Sequence, residues 1–102
     1  MIVTLFRSRL RHEHQEEYSR VAARIHDLAE SMPGFLSIKT FTAEDGERVS
    51  IVAFASWETH EAWRNHPEHR EAQRLGREKF YSEFHIQVCK VERDYGFRTK
   101  EK

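Results

Sequence analysis

Residues 35–57 read FLSIKTFTAEDGERVSIVAFASW, and the architecture turns on this stretch. Phe35 to Thr42 and Arg48 to Trp57 are strand-like runs on either side of Ala43-Glu44-Asp45-Gly46-Glu47. Asp-Gly between two such runs is a strong hairpin signal, because glycine accepts the positive φ that a tight reversal needs. The two runs are predicted to pair antiparallel. In the second, Val49, Ile51, Ala53 and Ala55 alternate with Ser50, Val52, Phe54 and Ser56, so neither face is purely polar and both need cover.

Upstream, Pro33-Gly34 stop a helix, since proline cannot continue the backbone ladder and glycine suits a cap or turn. That helix is predicted over His14 to Met32, where Tyr18, Val21, Ala22, Ile25, Leu28, Ala29 and Met32 recur at spacings of three and four. Glu16, Arg20, Arg24 and Asp27 fall on its wet side. Before it, Ile2 to Arg9 reads as a strand, with Val3 and Leu5 on one face and Ile2, Thr4 and Phe6 on the other. Downstream, a helix is predicted from Glu58 through Asn65, and a second from Glu68 to Phe80 beyond the break at Pro67. Ser82 to Arg93 alternates Phe84, Ile86 and Val88 against His85, Gln87, Cys89 and Val91, which makes a last strand, and Thr99 to Lys102 is a polar end.

The order strand, helix, strand, strand, helix pair, strand is the βαββαβ plan of a ferredoxin-like α+β fold with an antiparallel sheet. Residues 1–93 make one domain and 94–102 a polar tail; no repeat or composition shift suggests a second unit. Helices cover one sheet face. The other still carries apolar side chains, which marks an interaction surface, and a homodimer through that face is expected because a 102-residue domain leaves much of its surface uncovered.

Lys plus Arg and Asp plus Glu are 17 each, so no net charge draws the chain to nucleic acid or to an anionic membrane. No apolar run approaches the roughly 20 residues of a membrane span, and Met1 to Leu10 lacks the pattern of a signal peptide, which leads us to expect a cytoplasmic protein. The lone Cys89 sits in a strand-like segment and is expected to be a packed thiol. No nucleotide loop, zinc-ligand quartet or nucleophile motif occurs. His66-Pro67-Glu68-His69 has the look of a metal pair, yet the proline breaks the helix between the histidines and no third ligand is near, so no metal is expected. His12 and His14 read as solvated.

Pro33-Gly34-Phe35, Ala55-Ser56-Trp57-Glu58 leading into Glu61-Ala62-Trp63, His66-Pro67-Glu68-His69 and the closing strand Phe84 to Val91 together resemble the antibiotic biosynthesis monooxygenase family. The resemblance spans roughly residues 1 to 93. It implies a dimeric α/β barrel and a family that includes cofactor-independent monooxygenases, haem-degrading enzymes, quinol-oxidising proteins and members without a known substrate. Fold alone does not choose among them. In the haem-degrading branch a histidine follows the second-helix tryptophan by ten positions in an Ala-His pair. Here that place is Ala72-Gln73, and Arg7 or Ser8 stands where the branch has a first-strand asparagine. Glutamine is a poor axial ligand, which disfavours haem.

The resemblance therefore points to a monooxygenase without cofactor, acting with molecular oxygen on a small aromatic or quinol-type substrate. Such chemistry needs an apolar pocket, a base to take the substrate's proton, and donors for the oxyanion that develops. Phe54, Trp57, Phe80, Tyr81 and Phe84, with His85, are expected to line the substrate. His66, His69 and His85 are candidate bases, and Arg74 or Asn65 candidate donors. Trp63 and Asn65 are placed nearest the cavity by analogy with the family. Each has a plainer reading: Trp57 and Trp63 as core packing, His66 and His69 as surface histidines, His85 as a satisfied buried histidine, and Arg70, Glu71, Arg74, Arg77, Glu78 and Lys79 as a solvated helix face. A noncatalytic dimeric small-molecule-binding domain is the alternative from a different class. A pocket of aromatics and aliphatics alone favours binding; a histidine or arginine beside Trp63 favours catalysis.

Overall fold

The computed structural model describes residues 1–100; the last two residues of the expected tail, 101–102, lie outside the described residues. The elements run β1 (Ile2–Leu10), α1 (Gln15–Ser31), β2 (Phe35–Thr42), β3 (Arg48–Phe54), α2 (Trp57–Arg64), α3 (Pro67–Leu75), a π-helical turn (Gly76–Phe80) and β4 (Tyr81–Lys90). The sheet is four-stranded in the order β2-β3-β1-β4, and every neighbouring pair is antiparallel. This is the ferredoxin-like α+β arrangement that the order of strand and helix signals predicted. No helix among the described residues is long and apolar enough to cross a membrane.

The hairpin closes as its sequence requires. Gly46 has φ 93°, its N–H donates to the Ala43 carbonyl at 3.0 Å, and the Ala43 N–H donates to the Glu47 carbonyl at 2.7 Å. Asp45 accepts from the Glu47 N–H at 3.0 Å, the local bond that makes aspartate a turn former. Two arginines of β1 fasten the tip: Arg7 grips Glu47 with two bonds of 2.9 Å, and Arg9 reaches Asp45 at 2.8 Å. The bond from Arg9 holds the Asp45 carboxyl below the usual carboxylate range.

After α1, Gly34 takes φ 80°, and a Cβ there would stand 2.5 Å from Thr59 Oγ1. Both the backbone angle and the approach of α2 therefore require glycine. Strand β3 stops at Phe54, short of the expected Trp57. Ser56 leaves the strand to cap α2, accepting from the Thr59 N–H at 3.2 Å while Thr59 Oγ1 accepts from the Ser56 N–H at 3.2 Å. Pro67 opens α3 at a position where its missing N–H costs nothing, and His66 Nδ1 accepts from the Glu68 N–H at 3.2 Å. The helix expected to run through Phe80 instead widens into the π turn.

The core is Leu28, Ala29, Val52, Phe54 and Trp63, with Ile25, Met32, Phe35 and Ile38 packed around it. Phe54 is fully buried and stacks on Trp63 with centroids 5.3 Å apart. This cluster fills part of the helix–sheet layer, and Val52, Trp63, Ile25 and Ile38 also form one wall of a cavity beside it. On the uncovered face Val3, Leu5, Val49 and Ile51 form an aliphatic centre, with Phe41 48% exposed beside them. Cys89 and His85 also point to that side and are exposed in the single chain, so neither sits in the helix-covered core and His85 does not line the substrate space as expected.

Candidate functional site

A cavity of about 490 Å³ lies between the sheet and the helices, a volume ordinary for small-molecule sites. The pleat decides its floor: alternate β1 residues Thr4, Phe6 and Ser8 face it, flanked by Val52, Ser50 and Arg48 of β3 and by Val88, Ile86 and Phe84 of β4. Its roof is Tyr18, Val21, Ala22 and Ile25 of α1 with His60 and Trp63 of α2. His69 and Gln73 of α3, Arg77 and Phe80 of the π turn, and Tyr81 complete the wall.

Two polar side chains of α3 hold the roof in place. The last carbonyls of a helix have no partner within it. On α2 these are met by His69, whose Nδ1 lies 3.2 Å from the Trp63 carbonyl, and by Gln73, whose amide donates to the Arg64 carbonyl at 3.0 Å. A carbonyl only accepts, so His69 Nδ1 carries the proton and Nε2 holds a free lone pair. The imidazole also stacks on the Trp63 indole at 4.1 Å. Burial pushes the His69 pKa below its ordinary value, reinforced by the charges of His66, His60 and Arg64 and opposed by the bond to the Trp63 carbonyl. His69 is thus a neutral base with one defined tautomer. The Trp63 indole N–H beside it is buried and has no hydrogen-bond partner among the described residues.

A second array was not foreseen. His60, 2% exposed, places Nδ1 2.9 Å from Glu61 Oε2 and Nε2 2.9 Å from Thr4 Oγ1. The ionised carboxylate only accepts, so His60 donates from Nδ1 and accepts the Thr4 hydroxyl at Nε2. Both His60 and Thr4 face the cavity. The sequence carried one sign of it: His60 stands three residues before Trp63, hence on the same side of the helix. At the far end, Arg48 Nη1 donates to the Tyr18 hydroxyl at 2.9 Å. Burial raises the Tyr81 pKa, with the neighbouring Tyr18 adding to it, so its hydroxyl stays a donor.

Of the residues singled out from sequence, the structure brings Trp63, His69, Phe80, Tyr81 and Phe84 together around this space. Phe54 lies behind Trp63 in the core. The others are elsewhere, each for a visible reason. Asn65 is the exposed C-cap of α2. His66 spends its lone pair capping α3. Arg74 is bound on the solvent side to Glu71 at 2.5 Å and Glu78 at 2.7 Å. Trp57 is 54% exposed at the start of α2, stacked on the outside of His60, and His85 is on the opposite sheet face. Arg77, read as part of a solvated surface, faces the cavity instead.

Residues 1–75 match the family profile described as antibiotic biosynthesis monooxygenase. A curated relative, the uncharacterized protein YqjZ of Bacillus subtilis strain 168, is 31% identical over 91 residues, covering 89% of this chain and 80% of that protein. Among solved structures, a candidate antibiotic biosynthesis monooxygenase from Deinococcus radiodurans superposes with a TM-score of 0.82 at 10% identity, over 97% of this chain and 100% of that one. SnoaB, a cofactor-independent oxygenase from Streptomyces nogalater, does so with a TM-score of 0.74 at 16% identity, over 91% and 94%. At these identities the two structures testify to the fold alone. With the family profile matched over residues 1–75 and a relative at 31% identity, the chain belongs to the antibiotic biosynthesis monooxygenase family.

Proposed function

We propose that this protein is a cofactor-independent monooxygenase that oxidises a small aromatic or quinol-type substrate with molecular oxygen, and that His69 is its base. The observation that carries this reading is the His69 imidazole, its Nδ1–H bonded to the Trp63 carbonyl and its ring stacked on the Trp63 indole at 4.1 Å inside an aromatic-lined cavity. A cavity of hydrocarbon alone would serve binding; a neutral imidazole fixed in one tautomer serves proton abstraction. Gln73, which binds the Arg64 carbonyl where the haem-degrading branch places its histidine, also favours chemistry without haem.

His69 Nε2 takes a proton from a substrate hydroxyl or activated methylene. The anion left behind lies among the aromatic walls, with the imidazolium formed at His69 as its counter-charge, and gives electrons to oxygen. The balance closes without a further reductant: substrate bearing two removable hydrogens plus O2 gives the substrate carrying one oxygen, and one water. Two copies of the chain pair through Val3, Leu5, Val49 and Ile51 on the uncovered face. Oxygen uptake by cofactor-stripped protein against hydroquinones, anthrones and catechols tests the reading. Saturable uptake with one of these, reduced in Trp63→Phe, supports it; no uptake above the buffer rate with any of them points to the binding domain instead.

A further inference from the structure

The two ends of the cavity differ in charge. Thr4 and Ser8 both face it from β1, and four residues of strand separate them by about 13 Å. The Thr4 end holds His60, which bonds Thr4 and stands on α2 three residues before Trp63, the ring on which His69 of α3 stacks. The Ser8 end is cationic. In the sheet register Ser8 lies between Arg48 on β3 and Phe84 on β4, so all three share one cross-strand row. The Arg77 guanidinium lies over the Phe84 ring at 5.6 Å, and the Arg48 guanidinium over the Tyr18 ring at 5.5 Å. Three arginines line the cavity, and one of them, Arg64, pairs with the Glu61 carboxylate at 3.7 Å. Arg48 and Arg77 pair with none among the described residues, and no aspartate or glutamate lines the cavity.

Unpaired guanidiniums held by aromatic faces at one end of an acid-free cavity are arranged for an anion. We propose that the substrate is an aromatic acid, with its carboxylate held between Arg48 and Arg77 beside the Tyr18 hydroxyl. Its oxidisable ring then reaches toward His69. The separation of the two ends suits two or three fused rings better than a lone benzene ring. The inference rests on the monooxygenase reading for the fate of the ring, while the anion site stands on the arginines alone.

Equilibrium binding without turnover tests it, followed by quenching of tryptophan fluorescence in wild type, Arg48→Gln and Arg77→Gln. The probes are 2-naphthoate, the matched neutral 2-naphthamide, and 2-naphthyl phosphate to separate a carboxylate from a tetrahedral oxyanion. Wild type is expected to bind naphthoate about tenfold tighter than the amide, a preference that shrinks with added salt. Each variant is expected to lose about that factor for naphthoate while binding the amide unchanged. Because Arg77 is exposed, its variant reports even where Arg48→Gln fails to fold. Equal affinity for acid and amide, or equal losses for both probes in the variants, overturns the proposal, and tighter binding of the phosphate overturns its choice of carboxylate. A protein that prefers naphthoate yet consumes no oxygen keeps the anion site and loses the oxygenase reading. One that consumes oxygen with neutral and acidic quinols alike does the reverse.

Discussion

The two faces of the sheet mix polar and apolar side chains in different ways. Beneath the helices, where a sheet is ordinarily most apolar, β1 and β3 present Thr4, Ser8, Arg48 and Ser50. On the face the helices leave bare, the same two strands present Val3, Leu5, Val49 and Ile51. A sheet would not keep hydroxyls and a guanidinium in a filled core, because each needs a partner there. They are tolerable as the floor of a cavity where ligand or water meets them. The aliphatic face likewise makes sense as a surface that another copy covers. The hydroxyls and Arg48 thus mark the side with room for a ligand, and the aliphatic centre, bordered by Arg7, marks the side that a second copy would cover.

The comparison breaks most severely at the one place where the covered face is a true core. Phe54→Ala is expected to cost about 3–5 kcal/mol, read as a fall in the urea midpoint, because the Trp63 indole loses the ring it stacks on. A loss below about 1 kcal/mol means that the cluster around Trp63 repacks and does not fix the cavity wall. Leu5→Glu acts on the other face. It is expected to convert a dimer to monomer in sedimentation equilibrium while ligand binding to the cavity persists, and an unchanged dimer removes that face from the interface. Thr4→Val keeps shape and deletes only the hydroxyl that His60 Nε2 accepts. It is expected to cost about 1–3 kcal/mol, the range for a buried group left unpaired; an equally stable variant shows that His60 finds another donor across the cavity.

The smallest effect is a pH dependence. Unfolded His69 titrates near 6.5, and the folded group below it, since burial opposes the charged form. Between those two values only the unfolded chain carries the extra proton, so folding stability rises with pH through this window and is lost on acidification. Urea midpoints of wild type and His69→Gln, compared between about pH 7 and about pH 5, are expected to converge on the acid side. Parallel curves assign the slope to another group.

The hairpin, the Pro33-Gly34 stop and the alternation of β1 were legible because each rests on a short-range rule: a positive φ, a missing N–H, a period of two. The end of β3 was not, since Ser56 and Thr59 form their reciprocal cap without the glutamate that usually announces one. The π turn has no comparable sequence signature, and it explains the exchange of roles between Arg74 and Arg77. A regular helix would have kept residues three apart on neighbouring faces; the wider turn leaves Arg74 with Glu71 and Glu78 and sends Arg77 to the cavity. His69 was legible as a candidate but its tautomer was not, because its partner is a backbone carbonyl six residues away. The link from His60 to Thr4, 56 residues distant, exists only once α2 has been laid across β1.

The account's central claim is that His69 is the base of a cofactor-free oxidation, and the pH profile of oxygen uptake in wild type and His69→Gln tests it most directly. Glutamine can still donate to the Trp63 carbonyl, so the roof is preserved while the base is removed. Wild-type uptake is expected to hold at neutral pH and to fall on acidification at a pH below 6.5. The variant is expected to bind substrate normally and to turn it over about 100-fold more slowly at every pH. A variant that retains the wild-type rate and profile contradicts the claim.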